Sequence, residues 1–172
     1  MELHRTDGAF GDTVPFRWQV HAAGEFDGDL RTMITDLKYA FDRSMALPLA
    51  RILEPLVRDL VTAHTIVTWI PTTESHRRER GHDHAELVAR HVSALTGSRV
   101  LRLLRREGEA TQTGHGREHR LRGPAFVARP MRSSHDVIVI DDVTTTGATF
   151  RNAALALQAH RSVVCVAVAW VP

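Results

Sequence analysis

The 172-residue sequence predicts an α/β fold in which a central, mostly parallel sheet is flanked by helices. Short runs of β-branched and aromatic residues alternate along the chain with amphipathic segments of helical period. A hydrophobic share of 43% and a charged share of 24% are ordinary for a globular protein. The length predicts a single domain over residues 1–172, because one hydrophobic core can grow to this size before a chain divides.

The N-terminal part of the chain predicts an extension followed by two helices. Residues 1–28 carry several glycines and alternate poorly, which indicates loop or short strands before the main fold. Apolar residues at helical spacing predict helices over residues 29–41 and 47–60. Pro48 indicates the start of the second helix, and Pro55 indicates a kink or break within it.

The middle of the chain predicts a strand, a loop, a helix and a second strand. Residues 65–70 are a β-branched and aromatic run typical of a buried strand, and residues 72–81 predict a loop after it. Apolar residues on one face predict a helix over residues 84–95, with Gly97 as its C-terminal cap. Residues 99–104 predict the next strand.

The C-terminal part of the chain begins with a long polar segment. Residues 105–124 lack apolar periodicity and predict an exposed loop, of a length that is usually functional or disordered. A buried strand at 136–140, a helix at 149–159 and a last strand at 162–171 follow. This alternation of strands and helices is what favours a parallel sheet.

Composition excludes several classes of protein. The longest apolar run, residues 163–171, is too short to cross a bilayer as a helix, and the N-terminus lacks the pattern of a secretory signal. Both observations predict a cytoplasmic protein without a membrane span. The single cysteine, Cys165, excludes an intramolecular disulfide and a multi-cysteine zinc site.

Positive charge is concentrated in the middle of the chain. Thirteen arginines and seven carboxylates lie between Thr72 and Arg132, whereas acidic residues outnumber basic ones elsewhere. This distribution favours an anionic ligand or partner near the segment. The alternative is a solvated face of an arginine-rich protein.

The segment from Val137 to Thr149 carries the strongest chemical signal. Asp141 and Asp142 follow an apolar strand, and ligands of parallel sheets collect beyond the carboxyl ends of strands. Carboxylates there can accept hydrogen bonds from vicinal ribose hydroxyls. The hydroxyl-rich turn that follows opens a helix, whose N-terminal amides and dipole favour a phosphate. The predicted phosphate-binding residues are Val143, Thr144, Thr145, Thr146, Gly147, Ala148 and Thr149.

This pattern of an apolar strand, two acids and a TTGAT-like turn resembles the phosphoribosyl diphosphate signature of type I phosphoribosyltransferases. Two aspartates after a strand can also cap a helix or turn. A receiver domain would place its acidic pair near the start of the chain, whereas this pair is near the end. A P-loop protein would need G-x-x-x-x-G-K-[ST], which the sequence lacks.

From Gly28 onward the chain resembles the ComF family of phosphoribosyltransferase-like proteins. Three further segments carry this resemblance: a helix that ends in Lys38-Tyr39, a strand end at Ile70-Pro71 followed by an arginine-glycine turn, and a loop from Thr111 to Arg120. The resemblance implies a type I phosphoribosyltransferase fold with a small N-terminal hood formed by residues 1–28. It also implies Mg²⁺ as cofactor.

The resemblance and the order of the strands together assign candidate roles. A diphosphate is expected at the loop after the strand neighbouring the acids, and arginine suits it through bidentate contacts. The expected diphosphate-binding residues are Thr72, Thr73, Arg77 and Arg80, and the alternative for them is a solvated run of charge. The expected catalytic residues are Asp141, Asp142, Lys38, Gln112 and Arg120. Asp141 and Asp142 are also expected to hold Mg²⁺ indirectly. For Lys38 the alternative is the polar edge of an amphipathic helix.

Three departures separate the chain from the family pattern. His82, Asp83 and His84 stand where the family typically has Phe-Asn-Gln, an asparagine before Phe126 is deleted, and the N-terminal zinc ribbon is missing. Neighbouring residues that enter a helix rarely converge on one ion, so the three predict a solvent-facing helix start rather than a metal site. Asp83 is then expected to cap that helix.

These observations predict transfer of a phosphoribosyl group to an unidentified, nitrogenous acceptor, which is a glycosyltransferase activity. Thr145 stands where enzymes of 6-oxopurines place an aspartate, so such a purine is disfavoured. The alternative is a non-catalytic accessory protein that binds phosphoribosyl diphosphate and is related to DNA uptake in competence. A partner in the single-stranded DNA uptake machinery and a homodimer both remain open.

Overall fold

The computed structural model describes residues 18–107, 124–131 and 134–172. Its centre is a five-stranded sheet in which every neighbouring pair of strands is parallel, in the order β1-β7-β6-β2-β3. The strands are β1 (Trp18–Glu25), β2 (Thr65–Trp69), β3 (Arg99–Val100), β6 (Asp136–Thr144) and β7 (Ser162–Trp170). A separate antiparallel ribbon pairs β4 (Leu104–Arg106) with β5 (Phe126–Ala128). The predicted α/β class with a central parallel sheet is confirmed.

Helices cover both faces of this sheet. They are α1 (Gly28–Tyr39), α2 (Ala46–Arg58), α3 (Glu74–Arg80), α4 (His84–Thr96) and α5 (Ala148–Ala156), with a 3-10 turn at Arg43–Met45. Apolar residues of α1, α2 and α4 pack in one core cluster, against Ile138 and Ile140 of β6. Apolar residues of α5 and of the ribbon pack in a second cluster, against Val137 and Val139. Alternate residues of β6 therefore face opposite cores, as its period of two requires.

The order of the strands creates a crevice at one edge of the sheet. From β2 the chain passes through α4 to β3 on one side, and from β6 it passes through α5 to β7 on the other. Because α4 and α5 lie on opposite faces, the connections diverge where β2 and β6 end. Such a switch point is where open parallel sheets bind ligands.

Two long helices agree with their sequence predictions. Helix α1 occupies most of the predicted 29–41 segment, and α2 most of 47–60. Pro55 lies inside α2 without ending it, because Leu53 and Val57 on either side stay fully buried in the core. Of the predicted kink or break at this proline, the break is therefore wrong, and the kink stays a prediction.

Residues 18–25 correct the prediction for the N-terminal extension. They form β1, an edge strand paired with β7 along nearly its whole length, from Trp18 opposite Val163 to Glu25 opposite Trp170. The segment carries the alternating burial of a strand, but its small residues and glycine hid that pattern in the sequence. Residues 1–17, which include the rest of the predicted hood, lie outside the described part of the chain.

The predicted loop at 72–81 contains a helix. The side chain of Thr73 caps α3 by accepting a hydrogen bond from the His76 amide, and Gly81 ends it with a left-handed φ of 70°. The loop prediction is wrong because α3 is exposed and therefore has no apolar period that the sequence could show.

The predicted strand at 99–104 is not one continuous strand, and the first residues of the polar segment after it are not loop. Residues 99–100 form β3 in the sheet, whereas Leu104–Arg106 leave the sheet for the ribbon. Within the described residues, the predicted loop 105–124 is therefore preceded and followed by paired strands. The remainder of that loop, residues 108–123, lies outside the described residues.

In the described part of the chain, none of the helices is both long enough and apolar enough to cross a bilayer.

Phe41, just beyond α1, adopts a left-handed backbone conformation with a φ of 58°. A bulky residue is strained there, and its side chain is 45% exposed, so burial does not offset the strain. We expect Phe41→Gly to raise the free energy of unfolding by about 1 kcal/mol, measured by urea denaturation. Gly97→Ala, at a helix end with a φ of 69°, should lower it by about 1 kcal/mol. A lower free energy of unfolding for Phe41→Gly would contradict the assignment of backbone strain to Phe41.

Candidate functional site

Two aspartates stand where β6 separates from β2. Ile140 is the last residue of β6 in register with β2, opposite Trp69, whereas pairing with β7 continues as far as Thr144. At Asp141 and Asp142, β6 is therefore still paired with β7 but no longer paired with β2. Both predicted acids are at the switch-point crevice.

Asp142 is buried between two basic side chains from different helices. Lys38 Nζ of α1 lies 2.8 Å from Asp142 Oδ1, and His84 Nε2 of α4 lies 2.6 Å from Asp142 Oδ2. Burial opposes the charge of Asp142, but the contacts with His84 and Lys38 outweigh it and lower its pKa to about 2. Asp142 is therefore a carboxylate at all ordinary pH values.

Asp141 has the opposite electrostatic character. Burial and the adjacent negative charge of Asp142 raise the pKa of Asp141 well above its usual range. Its Oδ1 accepts a hydrogen bond from the Asp142 amide at 2.9 Å, which fixes the carboxyl group against the strand. The pair thus combines a permanent carboxylate with a carboxyl group that gains a proton readily, and a bound cation would favour ionisation of both.

The structure corrects the prediction of a solvent-facing helix start at His82, Asp83 and His84. All three are buried, with 6% to 8% of each residue exposed. The start of α4 packs beneath the ends of β2 and β6, which a single sequence cannot show. The predicted cap is confirmed, because Asp83 Oδ1 accepts a hydrogen bond from the Glu86 amide.

Asp83 also links α4 to the end of β2. Its Oδ2 accepts a hydrogen bond from the Thr72 amide at 3.0 Å. Burial raises the pKa of Asp83, although the Thr72 amide opposes the shift. The two hydrogen bonds of Asp83 fix the first turn of α4, and with it the position of His84.

Lys38 points to the acids and not along the polar edge of its helix. It lies in the last turn of α1, and its side chain is 19% exposed where it reaches Asp142. Tyr39, the next residue, is 65% exposed. Of the two roles left open by the sequence, the structure thus places Lys38 inside the site.

The hydroxyl-rich turn lies between the acids and α5. Thr145 and Thr146 are exposed, and Gly147 is the N-terminal cap residue of α5 with a φ of 72°. Gly147 has no side chain to cap this helix end, and the Ala148 amide donates a hydrogen bond to Thr146 Oγ1 at 3.4 Å. The other amides of the first turn can donate to an anion from outside, and the helix dipole favours one. The predicted opening of a helix by this turn is confirmed.

The predicted diphosphate segment follows β2 and so faces the same crevice. The Thr72 amide contacts Asp83, and Thr73 caps α3. Arg77 is exposed on α3, and Arg80 is the last residue of that helix. Thr72 thus lies next to the start of α4 at the edge of the crevice, and for Arg77 both a diphosphate contact and a solvated run of charge stay open.

Gln112 and Arg120 lie outside the described residues. The two chain ends that flank their segment are tied to the site. Arg106 Nε donates a hydrogen bond to the carbonyl of Pro71 at 2.8 Å, beyond the end of β2. Asn152 of α5 donates one to the carbonyl of Pro124 at 3.1 Å. The described residues before this segment therefore contact the end of β2, and those after it contact α5.

His84 is the site residue that the sequence analysis missed. One ligand atom each from His84, Asp141 and Asp142 can be chosen so that all lie within 4.8 Å of one another, a spacing that fits a metal ion. In the sequence, His84 stands beside His82 and Asp83 and far from the acids. The available signal was the position of His84, in the first turn of the helix that follows the neighbouring strand.

Comparison with protein-family models and with curated proteins finds no match for this chain. The geometry of the crevice and the chemistry of its residues are therefore the basis for function.

Asp142 should make folding stability depend on pH in acid. Its pKa is about 2 in the folded protein and about 4 in an unfolded chain, so its stabilising effect is complete above pH 4 and is lost as the pH falls toward 2. Asp141, with its raised pKa, is already protonated in that range.

We therefore expect Asp142→Asn to lower the free energy of unfolding by about 3 kcal/mol at pH 6, because Lys38 and His84 lose a buried partner. The difference from the unmodified protein should shrink between pH 4 and pH 2. Urea denaturation at several pH values measures both effects. A difference that is independent of pH would contradict the assignment.

Proposed function

We propose that the crevice binds phosphoribosyl diphosphate with Mg²⁺ and transfers the phosphoribosyl group to a nitrogen atom of an acceptor. One observation carries the proposal: at the switch point of a parallel sheet, Asp141 and the buried Asp142 precede the first residue of α5, Ala148, by seven and six residues. The ligand must therefore offer hydroxyl groups at one end and an anion at the other. A ribose 5-phosphate has that arrangement.

Each half of the site matches one half of this ligand. Asp142, as a carboxylate, accepts hydrogen bonds from the ribose hydroxyls, and Asp141 can accept a second one. The turn from Thr144 to Thr149 donates hydrogen bonds to the 5-phosphate from its amides and hydroxyls. Gly147 supplies the left-handed conformation that turns the chain into α5.

The diphosphate of the ligand is expected on the side of β2, near Thr72, Thr73, Arg77 and Arg80. Asp141 and Asp142 would hold Mg²⁺ through the ribose hydroxyls. The ion supplies positive charge that stabilises the departing diphosphate. Lys38 adds a further positive charge at Asp142.

In the transfer, the bond between C1 of the ribose and the diphosphate oxygen breaks, and the diphosphate leaves with the electron pair. The acceptor nitrogen forms a bond to C1 with its lone pair and then loses a proton. The transition state resembles an oxocarbenium ion. The chain offers Thr145 and no carboxylate at the turn position used for 6-oxopurines, so an acceptor of another class is favoured.

Calorimetric titration with phosphoribosyl diphosphate tests the binding. We expect Mg²⁺-dependent binding that Asp142→Asn weakens at least tenfold, because hydrogen bonds to a charged group contribute about 1.5–3 kcal/mol. Asp136→Asn is the matched control. Asp136 lies at the opposite end of β6, where it accepts a hydrogen bond from Ser162, and its replacement should leave binding unchanged. Equal affinity of all three proteins would overturn the proposal.

Release of diphosphate tests catalysis. Incubation with phosphoribosyl diphosphate, Mg²⁺ and each of a panel of nucleobases and amines should release diphosphate with one acceptor class and not with Asp142→Asn. Tight binding without release for any acceptor would favour the accessory role related to DNA uptake. The absence of both binding and release would exclude both functions.

Arg77 and Arg78 offer a matched pair on α3. Arg78 lies 3.5 Å from Glu74 in an exposed ion pair, whereas Arg77 lies one position back on the helix. If Arg77 contacts diphosphate, Arg77→Gln should weaken binding of phosphoribosyl diphosphate about tenfold, whereas binding of ribose 5-phosphate should not change. Arg78→Gln should affect neither ligand. Equal small effects of both substitutions would assign Arg77 to a solvated surface.

A further inference from the structure

The acid pair has a nitrogen ligand beside it, which changes the metal ion that the crevice prefers. His84 Nε2 lies 2.6 Å from Asp142 Oδ2, and suitable ligand atoms of His84, Asp141 and Asp142 lie within 4.8 Å of one another. The three side chains come from two elements that pack against each other, α4 and β6. They form one nitrogen and two oxygen ligands on one side of a potential ion.

We propose that His84, Asp141 and Asp142 directly bind a divalent transition metal ion and prefer it to Mg²⁺. Mg²⁺ takes oxygen ligands and retains much of its water, whereas imidazole suits cobalt, nickel, copper, zinc and iron. Two carboxylates alone would not discriminate strongly between Mg²⁺ and a transition metal ion. The histidine supplies the selectivity for the transition metal ion. The proposal uses the same acid pair as the proposed function, but it does not require phosphoribosyl diphosphate.

A positively charged side chain of the protein already contacts the proposed ligands. The Lys38 ammonium lies 2.8 Å from Asp142 Oδ1, on the oxygen that His84 does not contact. The ammonium charge of Lys38 alone cannot balance two ionised carboxylates. A divalent ion would balance both. It would also displace Lys38 from Asp142, so that the ammonium competes with the metal.

The ligands are held before any ion arrives. Asp83 fixes the first turn of α4 through the Glu86 and Thr72 amides, and this turn carries His84. The Asp142 amide holds the Asp141 carboxyl group. Supporting contacts of this kind orient metal ligands and typically change affinity by about 10-fold to 100-fold. A bound ion would displace Lys38 and take the place of the proton between His84 Nε2 and Asp142 Oδ2, while the backbone that carries the three ligands stays fixed.

Titration of the metal-free protein with Co²⁺, in the absence of phosphoribosyl diphosphate, tests the site. Visible absorption of Co²⁺ reports nitrogen and oxygen coordination. We expect one ion per chain, which a 100-fold excess of Mg²⁺ does not displace. His84→Gln should weaken Co²⁺ binding at least tenfold and abolish the preference over Mg²⁺. Its amide can still donate a hydrogen bond to Asp142, so that the fold is preserved. His76→Gln, on the exposed helix α3, is the matched control and should have no effect.

Lys38→Met should change the Co²⁺ affinity in the direction opposite to His84→Gln. Removal of the competing ammonium should tighten Co²⁺ binding about tenfold, whereas a lysine that merely supports the fold would leave affinity unchanged or lower it. Displacement of Co²⁺ by equimolar Mg²⁺, or equal affinity of the His84→Gln and unmodified proteins, would overturn the proposal. Circular dichroism of each variant verifies folding.

The two proposals fail separately. Binding of Co²⁺ without any binding of phosphoribosyl diphosphate would leave the metal site standing and overturn the proposed function. Binding of phosphoribosyl diphosphate with Mg²⁺, combined with no His84-dependent Co²⁺ binding, would do the reverse.

Discussion

The buried carboxylate of Asp142 is the constraint on which the site depends. A charge that is only 4% exposed requires partners, and it receives them from α1 through Lys38 and from α4 through His84. Three segments far apart in the sequence are thereby held at one point. Removal of any of the three side chains would leave a buried charge or polar group without its partner, so the arrangement is specific as well as stabilising.

Sheet topology explains why that charge lies where a ligand can reach it. The chain leaves β2 and β6 toward opposite faces, so the helical connections that the structure describes diverge above their carboxyl ends. Pairing of β6 with β7 continues past the acids, which keeps the strand extended and the carboxyl groups fixed. The uncapped start of α5 follows within a few residues. An anionic ligand with hydroxyl groups can therefore contact a rigid frame on both sides.

Much of the fold could be read from the sequence, for identifiable reasons. β6 and β7 are long apolar runs, and α2 and α4 have one apolar face, so their periodicity reveals them. The sequence did not predict helix α3 or the place of β1 in the main sheet, for the converse reason. α3 is exposed and has no apolar face, and β1 is an edge strand of small residues whose identity depends on its pairing with β7. Local sequence carries little information about a strand defined by its partner.

The sequence by itself determined the acid pair, the turn that follows and the parallel sheet beneath them, because all three are encoded within short, contiguous segments. Only the tertiary structure decided that Lys38 and His84 meet at Asp142. Their contacts span about a hundred and about sixty residues of chain, and they follow from how α1 and α4 pack against the sheet. A histidine in the first turn of a helix looks exposed in isolation. It is buried here because α4 packs against the sheet and brings the imidazole into contact with the Asp142 carboxylate of β6.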